Sequence, residues 1–108
     1  MKTAVVEHAT LQIFSDSIPN IINQFLVERR SRGLSKASVW FYTRYLDTFW
    51  KYLDGIGAIN IEEATPDVIR RYLLTLESQG HNPGGVHGHY RCVRALLNWW
   101  EEETDGDY

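Results

Sequence analysis

Four stretches of this 108-residue chain carry apolar side chains at helical spacing, each closed by helix-stopping residues, and that pattern confines the chain to an all-α fold. Ile18, Ile21, Ile22, Phe25 and Leu26 stand at i, i+3, i+4, i+7 and i+8, a single buried stripe. The first helix is predicted over 18–31, with Asp16 or Ser17 as N-cap, Pro19 in its first turn and Gly33 ending it. The second is predicted over 36–54, capped by Ser35 and closed by Gly55, with Val39, Tyr42, Leu46, Phe49, Trp50 and Leu53 inward. Thr65 and Pro66 open a third over 66–79, which buries Ile69, Tyr72, Leu73 and Leu76 before Gly80. A fourth, over 84–102 after Asn82 and Pro83, turns Val86, Tyr90, Val93, Leu97 and Trp100 inward. All four are amphipathic, so they must pack on one another, around Phe25, Leu46, Phe49, Leu73, Val93 and Leu97.

The length suits one domain, and an apolar fraction of 44% suffices for its core. Residues 1–16 lack the periodicity and are read as a flexible N-terminal arm, with the helical domain over 17–103. No apolar run is long enough for a membrane span or a secretory signal, which points to the cytoplasm. Cys92 is the single cysteine and reads as a small core or boundary side chain.

The formal charge of −3 argues against a polyanionic partner only as an average. Five acids, Glu101, Glu102, Glu103, Asp105 and Asp107, crowd the last eight residues. Residues 1–100 hold 11 basic against 9 acidic groups, a net +2.

The outward faces of helices 2 and 4 concentrate those cations. Lys36, Trp40, Thr43, Arg44, Asp47 and Lys51 share the side of helix 2 opposite its core stripe. His87, Arg91, Arg94 and Asn98 share the outer side of helix 4, with no acid before Glu101. Long cationic and amide side chains on a helix reach phosphates and base edges in a major groove. A solvated helix face has the same pattern. Gly84, Gly85 and Gly88 make the start of helix 4 costly by about 1 kcal/mol each. Either the helix N-terminus meets a phosphate there, or Gly88 lets another helix approach. Helix 2 also holds seven of the fourteen aromatics, most of them expected in the core. Trp40 is the exception, placed to cover a sugar or a thymine methyl, or simply to lie partly covered on the surface. His81, His89 and Cys92 make too few ligands for structural zinc. No nucleophile or carboxylate constellation marks an active site, and no cofactor is implied.

The run SRGLSKASVWFYTRYLDTFWKYL resembles the opening of the core-binding domain of tyrosine recombinases, the phage integrase family. ATPDVIRRYLLTLESQGHNPGGVHGHYRCVRALLNWWEEE is similar to that domain's third and fourth helices. The resemblance implies a SAM-like four-helix orthogonal bundle that forms half of a clamp on double-stranded DNA, with helices 2 and 4 against the major groove. It carries the DNA-contact role onto Ser35, Lys36, Ser38, Trp40, Arg44, His87, Arg91 and Arg94. It also implies other recombinase protomers as partners in a synaptic complex. The family's catalytic Arg, Lys, His-x-x-Arg and Tyr nucleophile have no counterpart here, so the chain reads as a non-enzymatic fragment, with 104–108 opening a linker to a catalytic domain. A helical protein–protein interaction module with an aromatic surface is the alternative.

Overall fold

The computed structural model describes residues 17–105, and within them the chain is four α-helices with one short 3-10 turn and no strand. These are α1 (Ile18–Ser31), α2 (Lys36–Gly55), the turn Ile61–Glu63, α3 (Pro66–Ser78) and α4 (Pro83–Asp105). The all-α, four-helix architecture is the one expected. The arm over 1–16 lies outside the described residues, as do 106–108, while Thr104 and Asp105 continue α4.

The starts follow from side-chain caps that satisfy amide groups left free at each helix N-terminus. Ser17 accepts from the Asn20 amide at 3.3 Å, Ser35 from Ser38 at 3.2 Å and Thr65 from Val68 at 3.3 Å. The first three helices end alike. Gly33, Gly57 and Gly80 take left-handed φ values of 87°, 81° and 96°. In each, a pair of amides folds back on the last turn, as where Gly57 donates to Asp54 and Ala58 to Leu53. The expected stop of α2 at Gly55 is corrected by this geometry: Gly55 is the last helical residue and Gly57 makes the turn. Closing at Gly57 puts Ala58, rather than exposed Ile56, beside Leu53 in the core. Beyond it, the Glu63 carboxylate accepts from the amides of Ile59 and Asn60 at 2.8 Å each. These bonds lower its pKa from the usual carboxylate value, those from Asn60 and then Ile59 being the causes.

α4 packs against all three other helices, and α2 against α1 and α4. Ile18, Ile21, Ile22 and Phe25 of α1 meet Leu46, Phe49 and Leu53 of α2, Tyr72 and Leu76 of α3, and Val93 and Leu96 of α4. Leu73 and Leu97, expected at the centre, are only half-buried. The buried stripe of α4 is Val86, His89, Cys92, Val93, Leu96 and Trp99, rotated from the one read off the sequence. Tyr90, Leu97 and Trp100 accordingly sit at its margin. The rotation turns on His89, a polar residue that the hydrophobic count places outside.

Candidate nucleic-acid interface

α2 and α4 meet where a residue without a side chain faces a large one. A β-carbon on Gly88 would lie 3.5 Å from the Tyr45 hydroxyl, an ordinary contact distance. Gly88 thus faces α2, with room there for a methyl. The phosphate alternative is weaker at the helix start, because the Asn82 side chain already accepts from the Gly85 amide at 2.8 Å.

Two hollows open along this seam, separated by Phe41 and Tyr45, which line both. On one side stand Ser38 and Tyr42 of α2 with Arg91, Cys92 and Ala95 of α4. On the other stand Trp40, Arg44 and Thr48 with His81, Gly85 and His89. Among the described residues no carboxylate lines either one. The Arg44 guanidinium lies 4.7 Å from the Trp40 ring centroid, a cation–π contact that holds the charge at the rim. Among the described residues neither Arg44 nor Arg91 has an ion-pair partner, whereas Lys51 is paired with Asp47 at 3.1 Å and Arg71 with Asp67 at 2.9 Å.

The eight candidate residues thus fall into groups. Ser38 and Arg91 share the first hollow, and Trp40 and Arg44 the second. Lys36 lies across Trp40, in a hollow with Arg30 and Leu34 toward α1. Ser35 is spent on the helix cap, where its hydroxyl donates to the Ser38 hydroxyl at 3.1 Å. His87 and Arg94 are exposed on α4 outside these hollows, Arg94 reaching the Tyr90 hydroxyl at 3.5 Å.

Phe41 joins Trp40 as an exception to the expectation that most aromatics of α2 are core. It is 51% exposed, Trp40 is 53% exposed, and Tyr42, Tyr45, Trp50 and Tyr52 are partly buried beside the core. Phe41 touches Trp40 edge-on at 5.4 Å and stacks on Tyr45 at 6.2 Å. The sequence held one sign of this, seven aromatics in one helix being too many for a single buried face.

Beneath Tyr45 lies His89, 4% exposed, with ring centroids 4.5 Å apart. Its Nδ1 shares a hydrogen bond of 3.2 Å with the Tyr72 hydroxyl, the direction set by the imidazole tautomer. His81 approaches edge-on at 5.2 Å. Burial, and then the charge of His81, lower the His89 pKa. Burial raises that of Tyr72, with Cys92 adding to the effect. The Cys92 thiol is pushed up to about 11 by burial, against a smaller opposing pull from Arg91. Burial thus favours the neutral form of each of these groups. Among the described residues no cluster of three or more His, Cys, Asp or Glu forms a metal site.

Among the described residues no helix is long and apolar enough to cross a membrane. No curated protein and no solved structure matches the chain. A family match covers residues 22–103, all four helices but for the first turn of α1 and the last residues of α4. The chain belongs to the phage integrase N-terminal SAM-like domain family.

Proposed function

We propose that this domain binds double-stranded DNA with α2 and α4 against the major groove, as half of a clamp within a tyrosine-type site-specific recombinase acting in the cytoplasm. Strand cutting and rejoining would belong to a catalytic domain, and other protomers of the recombinase would be its partners in a synaptic complex. Family membership supports the link to integrases. The observation that carries the DNA reading is the pair of arginines, Arg44 on α2 and Arg91 on α4. Among the described residues they have no carboxylate partner, and no acid lines the hollows beside them. An unneutralised guanidinium is the group that phosphate oxygens recognise best.

Titration of a labelled duplex across a range of salt concentrations tests this. Affinity that falls linearly on a log–log plot, by about 0.9 per phosphate contacted, is the expected result. Absence of binding even at low salt overturns it. In that case the exposed Trp40 and Phe41 favour the reading as a protein-interaction module.

A further inference from the structure

Phe41, 51% exposed, is the apolar crest between two hollows that are each lined by an arginine. A lone exposed phenylalanine is unremarkable in proteins. This one is joined to Trp40 and Tyr45 in a contiguous ridge. The Arg44 guanidinium lies over Trp40, whereas among the described residues no cation is stacked on the exposed Phe41 ring. Arg91 lines the hollow on one side of it and Arg44 the hollow on the other.

The major groove has the complementary layout: phosphates along both rims and base edges on the floor between them. The one apolar group on that floor is the thymine 5-methyl. A protein partner with an apolar patch would also cover the ridge, but cations on both sides, with no carboxylate among the described residues of either hollow, favour a polyanion.

Building on the duplex-binding reading above, we propose that Phe41 is a specificity-determining residue that contacts thymine 5-methyl groups on the major-groove floor while Arg44 and Arg91 hold the flanking phosphates. Its consequence is a preference for methyl-bearing duplexes that is separable from the salt-dependent phosphate contacts.

Replacing thymine by uracil removes the methyl and leaves every hydrogen-bonding group in place. The test compares the protein's affinity for an alternating dA–dT duplex with that for the same duplex carrying uracil at every thymine, at low salt. The alternating sequence presents a methyl at every base pair, so no register escapes the comparison. The natural protein should bind the thymine duplex more tightly, by about fourfold for each methyl covered. Phe41→Ala should bring the ratio to one. Phe41→Leu, which retains an apolar side chain, should keep most of it, and circular dichroism melts establish that both variants fold. Equal affinity of the natural protein for the two duplexes overturns the proposal, as does an unchanged ratio in Phe41→Ala. Self-association that Phe41→Ala abolishes, with no change in the thymine-to-uracil ratio, assigns the residue to a protein contact and overturns it too. Failure to bind either duplex removes the duplex-binding reading itself, which is a different result from equal binding.

Discussion

The hydroxyl of Tyr72 and Nδ1 of His89 lie 3.2 Å apart in the core, joining α3 to α4 through the one buried histidine among the described residues. The bond explains how α4 can bury a histidine, since an unpaired imidazole in this position would forfeit its hydration without return. It also makes stability depend on pH. The folded-state pKa of His89 is lowered from 6.5, so between the two values the unfolded chain binds more protons than the folded one.

Stability is therefore expected to be complete above about pH 6.5 and to decline as the pH falls below it, levelling off beneath the folded-state value. Denaturant melts of the natural protein and of His89→Gln between neutral and mildly acid pH measure this. The variant should be less stable at neutral pH but less sensitive to acid. Equal acid sensitivity in both would assign the effect to other groups.

On the alkaline side the sign is reversed. The Cys92 thiol is raised from 9.0 to about 11, so the folded state holds its proton while the unfolded chain loses it. Stability from this group should be lost as the pH rises from about 9 through about 11, and Tyr72, also raised, adds to the loss at higher pH. Cys92→Ala should remove the earlier part of the decline, read by the same melts. An unaltered decline would contradict the role given to the buried thiol.

The starts of the first three helices were readable from Ser17, Ser35 and Thr65, and the ends of α1 and α3 from Gly33 and Gly80, because capping chemistry is local; for α2 the sequence pointed to Gly55, whereas Gly57 makes the turn. The rotation of α4 was not readable. Leu96 and Leu97 are equally apolar and adjacent, and it is Leu96 that is buried, on the same stripe as His89. The candidate face was legible as two separate cationic stripes. Which members meet was not, since helical periodicity does not state which flank of α2 faces α4. Hence Lys36 falls toward α1 and Arg44 and Arg91 toward the shared seam, while Phe41 emerges as an exposed member.

That selection yields a paired prediction. Leu46→Ala and Leu96→Ala, at fully buried positions, should each cost about 2–5 kcal/mol, and half-buried Leu97→Ala distinctly less. Chemical denaturation measures all three. A cost at Leu97 equal to that at Leu96 would restore the stripe read from periodicity.

Gly88→Ala offers a check on the seam between α2 and α4. The added methyl meets Tyr45 at ordinary contact distance, and alanine gains about 1 kcal/mol of helix propensity over glycine, so thermal stability should hold or rise. A destabilisation of more than about 1 kcal/mol would mean that the helices approach more closely than this geometry.

The claim that the seam is a DNA face is tested most directly by exchanging the position of lost charge at constant charge count. Arg44→Ala with Arg91→Ala removes two cations beside the hollows; Arg70→Ala with Arg71→Ala removes two exposed cations of α3, one of them already paired with Asp67. Affinity for a short duplex is measured against salt for each folded double variant. The expected result is a large loss for the first pair and a log–log slope shallower by about 0.9 for each phosphate contact removed, with a smaller change for the second. Equal losses and equal slopes from the two pairs would show a response to net charge alone, and would contradict a DNA-binding face on α2 and α4.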